Sequence, residues 1–182
     1  MLTEFQKTKF PNLFKMFDMD NDGSITQRDL VRVVNACTAQ RGWQSGEKDY
    51  KSLYNHFISI WETMLESADK NNDEMLSLNE ILELQDNLLE DPETYDRMIN
   101  GVGAAIFSTF DTNSDGRLSL KEYADFYRVM GLDVEFATLI FDQLDLDKNG
   151  IISIDELLIL LDQFFTSQDK SAPGNFLFGP VI

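Results

Sequence analysis

The twelve residues from Asp111 to Glu122 read DTNSDGRLSLKE, and their polar side chains stand at regular intervals. Oxygen-bearing side chains occupy positions 1, 3, 5 and 12 of this stretch, and Gly116 occupies position 6. Carboxylate and amide oxygens are the ligands that hard divalent cations prefer, and a glycine allows the chain to turn sharply around an ion. The stretch therefore predicts a loop that surrounds a metal ion.

The same pattern returns at three other places in the chain. DLDKNGIISIDE begins at Asp145, DMDNDGSITQRD begins at Asp18, and DKNNDEMLSLNE begins at Asp69. Each copy has an apolar residue at position 8 and an acidic residue at position 12, as the EF-hand calcium loop has. Apolar residues at helical spacing flank the copies, so we predict an all-α protein with four helix–loop–helix units. The four loops span residues 18–29, 69–80, 111–122 and 145–156.

The apolar residues at position 8 mostly alternate with polar neighbours, as they would in short strands that pair the loops in twos. We therefore expect two EF-hand pairs in one compact molecule, over residues 1–91 and 92–182. The boundary falls at Pro92 because proline disfavours helix in the residue before it. The tail, residues 169–182, is expected to pack on the core.

Three helix-breaking residues lie inside predicted helices. Pro11 either stands in the first turn of a helix that begins near Thr8 or kinks that helix. Gly101 and Gly103 weaken the helix before loop three by roughly 1 kcal/mol each relative to alanine. We expect close packing to be the reason for both glycines.

The residue types at the ligand positions predict which groups hold the ions. In loops three and four every position is filled as a calcium loop requires, with a glutamate at position 12 that contributes both oxygens. Position 7 contributes its backbone carbonyl, and the serines at position 9, Ser119 and Ser153, are expected to act through water. The predicted ligands are Asp111, Asn113, Asp115, Arg117 and Glu122 in loop three, and Asp145, Asp147, Asn149, Ile151 and Glu156 in loop four.

Loop one ends in an aspartate rather than a glutamate. Asp29 is one methylene shorter, so we expect it to offer the ion a single oxygen, which gives six-fold coordination. Magnesium demands near-octahedral geometry at short distances, so loop one is predicted to accept Mg²⁺ as well as Ca²⁺. Its predicted ligands are Asp18, Asp20, Asp22, the Ser24 carbonyl and Asp29.

Loop two has Glu74 at position 6, where the other loops have glycine. We expect a positive φ there, which costs a non-glycine residue about 1–2 kcal/mol. That cost predicts a calcium site weaker by roughly tenfold, with a purely structural role in pairing as the alternative. The chain would then hold three or four calcium ions. The predicted ligands of loop two are Asp69, Asn71, Asp73, the Met75 carbonyl and Glu80.

The composition narrows the possible functions. A net charge of −17 argues against binding to nucleic acid or to an anionic membrane, and favours multivalent cations as partners. A single cysteine, no secretory leader and no apolar run of membrane-spanning length predict a cytoplasmic protein. Because the sequence has no phosphate-binding glycine loop and no zinc-type cluster, we expect no enzymatic activity. We also expect a monomer without a protein target.

The spacing of the loops resembles one family in particular. The loops begin at residues 18, 69, 111 and 145, and the long first interval contains the insert CTAQRGWQSGEKDY. Together with the ending GNFLFG, this arrangement resembles the invertebrate sarcoplasmic calcium-binding proteins and the calexcitins, over the whole chain. Glu74 at position 6 is also similar to the calexcitin version of loop two. The resemblance implies a cytosolic protein that buffers calcium and magnesium.

Two other functions stay open at this point. A calcium sensor exposes a methionine-rich groove when it is loaded, but this chain has seven methionines against fourteen phenylalanines. Phenylalanines near the end of the chain can fill such a groove from within, which favours the buffer. A carrier of a small apolar ligand such as coelenterazine requires a large apolar cavity. The photoproteins, which have a similar fold, use several histidines, whereas this chain has His56 alone.

Overall fold

The computed structural model describes residues 1–181, most of which are helical. Ile182 lies outside the described residues, and it is the last residue of both the predicted C-terminal half and the predicted tail. The α-helices are α1 (Glu4–Lys7), α2 (Phe10–Phe17), α3 (Gln27–Arg41), α4 (Lys48–Ala68), α5 (Leu78–Leu88), α6 (Pro92–Phe110), α7 (Leu120–Val129), α8 (Val134–Leu144) and α9 (Ile154–Thr166). Two short strands, β1 (Arg117–Ser119) and β2 (Ile151–Ser153), and a 3₁₀ turn at Pro173–Phe176 accompany them. The predicted all-α class is confirmed.

The loops pair in twos through their position 8 residues, as predicted. Strands β1 and β2 are antiparallel, with Leu118 opposite Ile152. In the first two loops Ile25 and Leu76 exchange two backbone hydrogen bonds of 2.8 and 2.9 Å. All four residues are buried, so each pair of loops is joined by apolar side chains beneath it.

Each loop ends with residues that start the following helix. At α7 the Ser119 hydroxyl accepts from the backbone N–H of Glu122 at 3.3 Å, and the Glu122 carboxylate accepts from the Ser119 N–H at 3.0 Å. This reciprocal capping box satisfies donors that a helix end leaves unpaired. The same box begins α5 at Ser77 and α9 at Ser153. The loop sequences therefore fix where these exiting helices start.

Helix α6 begins where the two predicted halves meet. Pro92 is its first residue, and Asp91 caps it by accepting from the Thr94 N–H at 3.2 Å. Helix α3 of the first half packs against α6 and α7 of the second. The division of the chain at this point stays a proposal, because the halves share packing surfaces.

The helix-breaking residues behave differently from one another. Pro11 stands in the first turn of α2, which begins at Phe10, so the first-turn alternative is confirmed. A Cβ added at Gly103 would lie 2.9 Å from the Leu158 side chain, which confirms close packing there. At Gly101 the same atom would meet nothing within 4 Å, so the expectation of close packing was wrong for this residue.

The tail contributes directly to the core. Leu177 and Phe178 are 1% and 2% exposed, and the centroids of the Phe178 and Phe164 rings lie 4.8 Å apart. The Tyr123 hydroxyl donates to the Leu177 carbonyl at 2.8 Å. Among residues 1–181, no helix combines the length and the apolar character that crossing a bilayer requires.

Candidate metal centres

The first residue of each loop organises the turn that would surround an ion. In loop three, Asp111 accepts from the backbone N–H groups of Asp115 at 3.1 Å and Gly116 at 2.8 Å. Asp18, Asp69 and Asp145 accept from the corresponding two N–H groups of their own loops. All four loops therefore share one closed backbone arrangement around the position 1 carboxylate.

Loops one and four each bring three carboxylates together. In each set, one oxygen from every carboxylate lies within 4.8 Å of the others. Oxygens that bind one calcium ion at 2.3–2.6 Å are at most about 5 Å apart, so the donor chemistry and the spacing fit a single ion. The sets are Asp18, Asp20 and Asp22 in loop one, and Asp145, Asp147 and Glu156 in loop four.

Loops two and three have an asparagine at position 3, so one of their donors is an amide oxygen. In both, the position 3 side chain accepts from the position 5 N–H at 3.0 Å, at Asn71 from Asp73 and at Asn113 from Asp115. Loop four repeats this contact at 3.1 Å. The position 3 and position 5 groups are therefore held side by side in these loops.

The position 7 residues predicted to offer a carbonyl lie next to the loop pairing. In loops one, two and four the N–H group of the position 7 residue donates to a side-chain oxygen of the position 5 residue, at 2.9–3.0 Å. The residues involved are Ser24, Met75 and Ile151. In loop three, Arg117 is the first residue of β1.

The position 12 glutamates reach across their loops. Oε1 accepts from the N–H of the position 2 residue at 2.9 Å in loops three and four, and at 3.4 Å for Glu80 in loop two. Burial opposes ionisation of Glu122 and Glu156, but hydrogen bonds from Ser119 and Ser153 outweigh it and hold the pKa of both carboxyls below the ordinary glutamate value. Hydrogen bonds from Ser77 lower the pKa of the Glu80 carboxyl as well. The three position 12 glutamates are therefore charged at neutral pH, as metal binding requires.

The position 9 serines have a role that sequence reasoning missed. Each of the hydroxyls of Ser119 and Ser153 donates to its position 12 glutamate at 2.8 Å, and Ser77 does so at 2.7 Å. These hydroxyls orient the glutamate. The signal was present in the sequence, since a serine three residues before a glutamate is the capping-box pattern.

Loop two adopts the required turn without a glycine. Glu74 has φ +58°, whereas Gly23, Gly116 and Gly150 have φ between +74° and +91° at the same position. Its N–H still donates to Asp69 at 3.0 Å. The predicted positive φ is confirmed, and the N–H groups at positions 5 and 6 donate to Asp69 as they do to the position 1 residue in the other three loops.

Loop one differs from the others at position 12. Asp29 is buried, lies outside the group of three clustered carboxylates, and accepts from the Thr26 N–H at 3.0 Å. Its second oxygen accepts from Arg32, which also contacts Asp20. Sequence reasoning missed Arg32, although its place one helical turn after position 12 put it within reach of the loop.

Two residues with reactive side chains stand apart from the loops. His56 is exposed on α4. Cys37 is buried, and burial raises the pKa of its thiol to about 12. The thiolate is the nucleophile and the metal ligand, so this cysteine is inert near neutral pH.

Comparison with known families identifies three of the four loops. A family model described as an EF-hand domain pair matches residues 1–37. A second model, described as EF hand, matches residues 104–127 and 136–161. These matches contain loops one, three and four, whereas residues 69–80 lie outside them.

Comparison with whole proteins extends the similarity over the chain. Calerythrin of Saccharopolyspora erythraea is 23% identical over 90% of this chain and 94% of its own length. Calexcitin-1 of Caenorhabditis elegans is 26% identical over 97% of this chain and 87% of its own length. The structure of a sarcoplasmic calcium-binding protein from amphioxus covers 99% of both chains, with a TM-score of 0.73 and 22% identity. The chain therefore contains EF-hand segments and has homologues among the sarcoplasmic calcium-binding proteins, calexcitin and calerythrin.

Proposed function

We propose that the chain binds calcium ions at its loops and acts as a cytosolic calcium buffer, with magnesium as a competitor in loop one. The observation that carries this proposal is the set of three carboxylates within 4.8 Å of one another in loop four, which includes Glu156 at position 12. Loops one, three and four hold three ions through the ligands predicted above. Loop two holds a fourth ion more weakly.

Electrostatics supports the binding of several divalent cations. The chain has a net charge of −17, and the carboxylates of each loop repel one another at short range. A bound ion supplies the positive charge that offsets this repulsion. Four divalent ions bring the net charge to −9, so occupancy stabilises the folded state by mass action as well as by charge.

The packing of the tail supports a buffer over a sensor. A sensor must open a groove between its helices when it loads calcium. Here Leu177 and Phe178 lie in the core, and the hydroxyls of Tyr123 and Tyr127 both donate to the Leu177 carbonyl, at 2.8 and 3.1 Å. Opening the helices would expose these side chains and break buried hydrogen bonds. The tail therefore holds the interior closed.

The described cavities give no support to the carriage of an apolar ligand. One, of about 510 Å³, is open to solvent and has the charged Arg41 and Asp49 beside the apolar Trp43 and Leu53 in its lining. A second, of about 490 Å³, is also open and is lined by acidic residues that include Glu62 and Glu66. Sites for apolar ligands are enclosed and mostly apolar. The buffer accounts better for this surface.

The proposal extends to what the protein does not do. A buffer needs no catalytic group, and Cys37, the one cysteine, is buried with a raised pKa. We propose a cytoplasmic monomer that binds neither nucleic acid nor membrane and has no protein target. The two EF-hand pairs, residues 1–91 and 92–182, are proposed as its binding units.

A calorimetric calcium titration, with and without magnesium, tests the metal binding. We expect three strong sites and one weaker site, and magnesium should lower the apparent affinity of loop one most. Glu156→Gln should remove the loop four site. Asp155→Asn is the matched control, because Asp155 is exposed next to Glu156 and occupies no ligand position. Absence of calcium-dependent heat in the unmodified protein would refute the proposal.

A hydrophobic dye separates the buffer from the sensor. Exposed apolar surface binds such a dye, and a sensor exposes this surface only with calcium. We expect equal dye fluorescence with calcium and with magnesium, and no capture of an amphipathic helical peptide. Calcium-specific dye binding together with peptide capture would show a sensor instead.

A further inference from the structure

Arg32 connects two ligand positions of loop one. It lies on α3, one helical turn after Asp29, and its Nη1 contacts Asp29 Oδ1 at 3.0 Å and Asp20 Oδ2 at 2.5 Å. Asp20 stands at position 3 of the loop and Asp29 at position 12. Both carboxylates belong to the donor set proposed for the ion, so a single guanidinium already occupies one oxygen of each.

The other three loops have no equivalent contact among the described residues. The residues that correspond to Arg32 in sequence are Glu83, Asp125 and Ile159. In those loops the position 12 side chain accepts from the position 2 N–H, whereas the shorter Asp29 makes no such bond. In loops two to four the position 5 N–H donates to the position 3 side chain as well as to position 1, whereas among the described contacts the Asp22 N–H donates to Asp18 alone. Loop one therefore uses a cationic side chain where the others use backbone N–H groups.

We propose that Arg32 is a tethered cation that competes with the divalent ion for loop one. The inference rests on the proposed function, because it takes loop one to be a metal site. A bound ion needs oxygens from Asp20 and Asp29, and a guanidinium contact on the same carboxylates must weaken as the ion enters. Arg32 thus lowers the affinity of loop one for the divalent ion.

The test compares Arg32→Met with Arg28→Met. Both changes remove one positive charge from the start of α3, but Arg28 makes no ion pair among the described residues. Loop one is followed by the backbone amide signal of Gly23 in a calcium titration, and loops three and four by those of Gly116 and Gly150. We expect Arg32→Met to tighten loop one by about fivefold and Arg28→Met to change it by less than about twofold. The Gly116 and Gly150 signals should titrate unchanged.

A second measurement follows the Arg32 side chain directly. In the calcium-free protein the side-chain N–H signals of Arg32 should exchange slowly with water, and saturating calcium should make them exchange faster. If Arg32→Met weakens loop one, then Arg32 orients Asp29 for the ion, and the inference is wrong. If the Gly23 signal does not respond to calcium in either protein while Gly116 and Gly150 respond, the inference fails together with the loop one site, and calcium binding at loops three and four stands. If no loop responds, the proposed function itself fails.

Discussion

Replacing Glu74 by glycine tests how much the strained turn of loop two costs. Glu74 has φ +58°, a conformation that costs a residue with a side chain about 1–2 kcal/mol relative to glycine. If loop two takes up this turn only when it closes on an ion, the whole cost opposes binding. Relief of this strain in Glu74→Gly should then contribute roughly a tenfold gain in affinity, since about 1.4 kcal/mol is a factor of ten in affinity.

The charge of Glu74 needs a control of its own. Its carboxylate lies in an acidic cleft with Glu62, Glu66 and Asp69, and removing a negative charge there weakens attraction for a cation. Glu74→Gln removes the charge but keeps the Cβ that causes the strain. Because exposed charges are screened by salt, we expect Glu74→Gln to weaken loop two by less than about threefold.

Calorimetry on the three proteins gives the answer. The affinity difference between Glu74→Gly and Glu74→Gln isolates the strain, and we expect it to be about tenfold. Equal affinities would show that the turn at position 6 is held equally with and without the ion. The reasoning would then be refuted, and the strain would instead reduce the stability of the folded protein in every state.

Four further predictions concern occupancy and packing. Glu80→Ala should remove one calcium site and leave the others nearly unchanged, and an unaltered site count would show that loop two is structural. Calcium at a thousandfold excess over Kd should stabilise the folded state by about 4 kcal/mol per site. Because each kcal/mol raises the unfolding midpoint of a protein of this size by about 2–4 °C, we expect a rise of about 10 °C per site. An unchanged midpoint would contradict binding. Gly174→Ala should lower the midpoint by about 5 °C, because its Cβ would lie 2.6 Å from that of Gln163 and would overlap the Leu160 carbonyl. Gly101→Ala should raise the unfolding midpoint by about 2 °C, because its added Cβ would meet no neighbour and alanine favours the helix. Equal shifts of the midpoint for the two variants in calorimetric scans would contradict the packing argument.

The loops could be predicted from the sequence because their structure is local. Twelve consecutive residues supply the donors, the turn and the first cap of the next helix, so their spacing carries the whole pattern. The pairing of Ile25 with Leu76 also followed from position alone, since both residues are the apolar position 8 of their loops. Even the unusual φ of Glu74 was predictable from its place in the loop.

The contacts that sequence reasoning missed depend on which elements meet in space. Arg32 reaches Asp20 across twelve residues of sequence, and only the angle between loop one and α3 brings them together. Gly101 and Gly103 look alike in the sequence, but only Gly103 faces the side chain of Leu158 on α9. Spacing along one helix does not show what lies opposite it.

The same reasoning applies to the division of the chain into two halves. Lys9 of the first half is buried and its Nζ donates to the carbonyls of Gln163 and Ser167 and to Asn175 Oδ1, at 3.0–3.2 Å. Arg41, the last residue of α3, donates to the carbonyl of Asp111 at 2.9 Å, and Asp111 is the first residue of loop three. Separating the halves would break these hydrogen bonds and expose to water the apolar side chains that the halves bury together. The loops are paired two by two, but the core and the hydrogen bonds beneath them belong to both pairs.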